Sequence, residues 1–147
     1  MGKRRASHEG SVLVELAFAI PIMTLVMVII VDVGLIVREH QVIQNAAREG
    51  ARFSCLPENY VYSDPPDFRA IRQRVVDYAE REGIEILNDP TVIFVKQDVR
   101  IPLPSGLFAY GSLVTVSYER WMLIGAIPLL PTDHMWLTGS SLFRNLY

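Results

Sequence analysis

From Leu16 to Val31 the chain reads LAFAIPIMTLVMVIIV, and this stretch decides the architecture. It contains no charge, and Thr24 is its one plainly polar side chain. Past Asp32 the apolar character resumes and runs to Val37, which makes 22 residues from Leu16. A bilayer core about 30 Å thick needs about 20 helical residues at 1.5 Å each, so the segment is long enough to span. A buried core helix rarely holds more than about 14 apolar residues in a row. The flanks orient the span. Lys3, Arg4 and Arg5 stand before it against the single acid Glu9, whereas Arg38-Glu39-His40 behind it is nearly balanced. Short basic flanks stay on the cytoplasmic side, so the N-terminus is expected inside and residues 38–147 outside. A cleaved secretory signal fits poorly, because no small-x-small site closes the apolar run.

The remaining composition excludes several classes. The 147 residues carry a formal net charge of −2, so there is no surplus of Lys and Arg to neutralise a nucleic-acid backbone. The outer part holds 11 basic and 13 acidic residues, with no charge run. Cys55 is the one cysteine, which excludes an internal disulfide framework; a buried free thiol is expected there. His8, His40 and His134 lie on separate segments without metal-ligand spacing, so no metal site and no cofactor are expected. There is no Gly-rich phosphate loop and no nucleophile elbow, so no catalytic residue is assigned.

Two carboxylates interrupt the apolar region at a cost. Asp32 reads as a group close enough to the outer end to reach interfacial water. Glu15 sits at the inner end, where an intramembrane acid is by default functional and needs a partner. Pro21 removes one backbone hydrogen bond and permits a kink.

Gly10-Ser11-Val12-Leu13-Val14-Glu15 then acquires a meaning. A short basic leader ending in Gly, followed by an apolar helix with Glu as its fifth residue, resembles the processing site of type IV prepilins and pseudopilins. The resemblance implies cleavage by a prepilin peptidase between Gly10 and Ser11. It also implies an assembly role for Glu15, whose carboxylate pairs with the new N-terminal ammonium in a low-dielectric filament core and sets the axial register. Residues 41–52, QVIQNAAREGAR, and residues 114–131, VTVSYERWMLIGAIPLLP, resemble the TadE-like proteins of the tight-adherence pilus system. The implied protein is a minor pilin or pseudopilin with no enzymatic activity. It would sit in the inner membrane with its N-terminus cytoplasmic. Its implied partners are the peptidase, other pilins, the assembly platform and the lipid bilayer. The alternative reading is an uncleaved, single-pass periplasmic binding or scaffold module.

The expected fold class is α+β. Residues 1–10 form the leader, 11–37 the transmembrane helix and 38–147 the outer domain. The helix continues through Ser54 on a narrow stripe of Val42, Ile43, Ala46, Ala47 and Ala51, with Gly50 as its one strong breaker. Glu49 and Arg52 are spaced to pair. Arg48 and Arg52 read either as a solvated face or as partner contacts. Asp67 is the expected N-cap of a second helix ending at Arg81 or Glu82, with Gly83 as its stop. Strands are expected over 91–101, 113–123 and 135–143, giving helices on a small antiparallel sheet. The apolar loop up to Pro131, with Ile127, Leu130, Trp121 and Trp136, reads either as a cover over the core or as an exposed contact surface.

Overall fold

A computed structural model describes residues 5–63, 66–104, 106–126 and 134–145. Helix α1 runs unbroken from Arg5 to Ser54, through Pro21 and Gly50. A single 3-10 turn, Pro57–Asn59, leads toward helix α2, Arg69–Arg81. Strands β1 (Ile93–Pro102), β2 (Phe108–Trp121) and β3 (His134–Arg144) follow, and a second 3-10 turn, Leu123–Ala126, trails β2. The sheet is an antiparallel meander in the order β1-β2-β3. The architecture is α+β, as the periodicities predict.

Both helices bury their apolar stripes against one face of this sheet. Ile43, Ala46, Ala47 and Ala51 of α1 meet Ile71, Val75, Val76 and Ala79 of α2 over Ile93, Val95, Val114 and Val116. Small side chains on α1 allow close approach, and Gly50 is the extreme case. A Cβ there would lie 2.4 Å from Val75 Cγ2 and 3.4 Å from Val114 Cγ1. Gly50 is therefore a packing residue, and the surrounding hydrogen-bonded turns carry the helix past it. Gly139 plays the same part on β3, where a Cβ would come within 2.9 Å of the Gln44 backbone. The Gln44 side chain then binds the exposed backbone of Ser140, donating to its O at 2.8 Å and accepting from its N at 3.2 Å.

The boundaries differ from expectation for local reasons. Asp67 lies one residue outside the N-cap position, which Phe68 occupies; its carboxylate still accepts from the Arg69 backbone N at 3.0 Å. Gly83, at φ +83°, ends α2 as foreseen. Strand β1 starts at Ile93 because Asp89 closes a turn, accepting from Thr91 N at 2.7 Å. Strand β2 starts five residues early, at Phe108, because the Leu103–Leu107 turn is tight enough to keep Pro102 and Phe108 paired. A bulge between Lys96 and Val99 sets Asp98 at φ 59°. It aims Gln97 at the end of α1, where the side chain donates to the Ser54 carbonyl at 3.1 Å.

Candidate membrane anchor and its attachment

Helix α1 contains a stretch long and apolar enough to cross a membrane, with mean hydropathy 2.7. From Val12 to Val31 its large apolar side chains are almost all exposed, so in water this surface would have no cover. Thr24 satisfies its hydroxyl locally, donating to the Ile20 carbonyl at 2.9 Å. Gly10 and Ser11 both lie within helical backbone, and Ser11 and Glu15 are exposed on the helix surface.

Asp32 is not the water-seeking carboxylate that its position in the sequence predicts. It is 2 % exposed and meets Arg120, itself 5 % exposed, with Nη2 donating to Oδ1 at 2.9 Å. The same guanidinium reaches Glu39, two turns along the same face of α1, Nη1 to Oε1 at 2.5 Å. Asp32 does not reach out to interfacial water; β2 brings a cation to it. Burial works against the charge on Arg120, but its hydrogen bonds to Glu39 and Asp32 outweigh burial and hold its pKa above the ordinary value. Tyr118 lies close by; burial, and then the negative charge of Glu39, push its phenol up. Among the described residues Glu39 Oε2 and Arg120 Nε are buried without a hydrogen-bond partner. A signal for Arg120 existed in the sequence. The inward alternation Val114, Val116, Tyr118 lands on Arg120 two residues later.

Further contacts tie α1 to the domain along its length. Arg38 donates to the Glu82 carbonyl at 3.1 Å, at the end of α2. Glu49 pairs with Arg74 of α2 at 2.7 Å rather than with Arg52, because α2 places a guanidinium over it that Arg52 cannot match. Arg48 donates to Asn45 at 3.0 Å, and Arg48 and Arg52 both lie on the exposed face. At the far end Cys55 Sγ donates to the Phe143 carbonyl at 3.4 Å. Burial pushes this thiol up, against the opposing hydrogen bonds from Ser112. Tyr60 donates to Asp98 at 2.5 Å, which raises the phenol. Ile127 and Leu130 lie outside the described residues. No group of three His, Cys, Asp or Glu side chains able to hold a metal exists among the described residues.

The fold and these contacts define a class: a single-pass anchor helix that continues, without a break, as the spine of a small α+β domain. The family model described as TadE-like protein matches residues 10–52, a segment that includes Gly10, Glu15, the apolar run and the Ala46–Arg52 element. Over residues 10–52 the chain is similar to that family, and the match supports a protein associated with the tight-adherence pilus. No curated protein and no solved structure matches it.

Proposed function

We propose that the chain is a TadE-like minor pilin or pseudopilin. It crosses the inner membrane once, is cut between Gly10 and Ser11 by a prepilin peptidase, and then joins other pilins or the assembly platform. It performs no reaction itself. The observation that supports this most is the Asp32–Arg120 pair. A domain strand bound at Asp32 supports an outer domain that begins there and a span that ends near Val31. Counted back, Ser11–Val31 is 21 residues, or about 31 Å of helix, which equals a bilayer core. The Gly10–Ser11 bond then falls at the inner face, within reach of a membrane-embedded peptidase. Glu15 falls about 25 Å below Asp32, just inside the hydrocarbon, where its carboxylate needs a cation. The new ammonium at Ser11 of the same or a neighbouring subunit supplies one.

The helical backbone across Gly10 and Ser11 favours the second reading, an uncleaved scaffold. A peptidase needs that turn opened, and glycine lowers the cost, since it destabilises a helix by about 1 kcal/mol relative to alanine. The N-terminal sequence of the protein from its host's membranes separates the two. A chain beginning at Ser11 is the expected result. A chain retaining residues 2–10 beside an active peptidase establishes the uncleaved scaffold.

A further inference from the structure

The rim of the sheet nearest the span exposes large apolar side chains that neither α1 nor α2 covers. Trp121 is 68 % exposed, Leu123 53 % and Trp136 59 %, with Met135 beside them. We propose that these residues form a second membrane contact, an interfacial anchor by which the outer domain rests on the headgroup layer of the bilayer that α1 crosses.

The argument is one of level. Strand β3 runs alongside α1: Phe143 lies at Cys55, Gly139 at Gln44, and Met135, through its partner Arg120, at Asp32. Twelve residues of helix from Gln44 to Asp32 cover about 18 Å, and four residues of strand from Gly139 to Met135 cover about 14 Å. The long Arg120 side chain spans the few Å between, so the His134 end of the sheet, one residue further on, comes close to the level of Asp32, one residue beyond the uncharged run. Trp121 pairs with His134 across the sheet, and its ring lies 5.8 Å from the imidazole. The turn that starts at Leu123 rests against α1. These side chains therefore stand at the edge of the hydrocarbon, within the headgroup layer of roughly 5–8 Å. Tryptophan is the residue enriched at that depth, because its large apolar ring carries one polar N–H.

Charge selects the lipid chemistry. The titratable side chains on this rim, Glu119 and His134, face each other at 3.9 Å. Without a basic cluster among the described rim residues, the attraction is apolar, so the anchor works on zwitterionic lipid and does not require acidic headgroups.

The inference rests on α1 spanning the bilayer, and one preparation tests both. Trp121 and Trp136 are the two tryptophans of the chain, so its indole fluorescence reports this patch directly. The full chain is reconstituted into phosphatidylcholine vesicles with acyl chains brominated near the glycerol. The unsubstituted chain is measured beside Trp136→Phe, which leaves Trp121 alone. Lipid bromine is expected to reduce Trp121 emission roughly twofold, independently of the protein-to-lipid ratio. Acrylamide in the water is expected to quench it less than in the urea-unfolded chain. Trp121 as open to acrylamide as in the unfolded chain overturns the proposal alone. Shielding from both quenchers that grows with protein density also overturns it and assigns the patch to a second copy. Failure of the chain to float with the vesicles overturns the spanning reading and this proposal together.

Discussion

Arg120 shows what one side chain does in this protein. It sits between two carboxylates of one helix, in a site with almost no water. A buried ion pair is weak evidence for net stability, because desolvation offsets the attraction; its removal on one side alone is costly. Arg120→Ala is therefore expected to destabilise the domain by about 3–5 kcal/mol, read as the urea midpoint in detergent micelles. The triple change Asp32→Leu, Glu39→Gln and Arg120→Met is expected to recover most of that loss, since it leaves no unpaired charge in the site. A triple variant as unstable as Arg120→Ala would mean that the ion pair itself holds the fold together. Recovery of stability with loss of piliation would mean that the pair is kept for the angle between anchor and domain.

At the scale of elements, the crossing of α1 over α2 and β2 is set by absent side chains. Gly50 is poor for a helix, and Ala in its place gains up to about 1 kcal/mol of helix propensity. Here the added methyl meets Val75 at 2.4 Å, in a site where Val75 is fully buried and, being β-branched, has little freedom to turn away. Overpacking of this kind costs about 1–3 kcal/mol. Gly50→Ala is expected to lower the thermal midpoint of the otherwise unaltered chain and to raise it in a Val75→Ala background. The same sign in both backgrounds would show that backbone freedom, not packing, governs the position.

For the whole molecule, the anchor and the domain share one helix, and the polar attachment lies at the membrane end. A chain shortened to begin at Gln41 keeps every core residue of α1 yet loses Asp32 and Glu39. It is expected to be less stable than one beginning at Asp32 by about 3 kcal/mol, with much of the difference abolished by Arg120→Met. Urea titrations of the four chains decide this; an undiminished difference after Arg120→Met would place the stabilisation in helix contacts instead of the buried charge. On the proposed reading, the same geometry gives the span its length, and a domain clamped at Asp32 would hold the helix at a defined depth, and with it Glu15.

Much of this was legible in the chain. The uncharged run, the 3.6-residue stripes of α1 and α2 and the strand alternation are local patterns, and each meets its element because hydrophobic burial obeys the same period everywhere. Gly10, Ser11 and Glu15 form a linear motif, and the role proposed for them rests on that motif and not on the fold. Spacing alone makes Gly50 a breaker and Glu49 a partner of Arg52, because it knows only neighbours along one helix, whereas the fold packs Gly50 against Val75 and pairs Glu49 with Arg74. Spacing likewise makes Asp32 a carboxylate looking for water. Its partner lies 88 residues away, and only the folding of β2 back along α1 removes the water and supplies the cation. Sequence alone determined that there is an anchor and a small α+β domain. The tertiary structure decided how the two are joined, because the Asp32–Arg120 contact is made between residues 88 apart and is not a property of either segment.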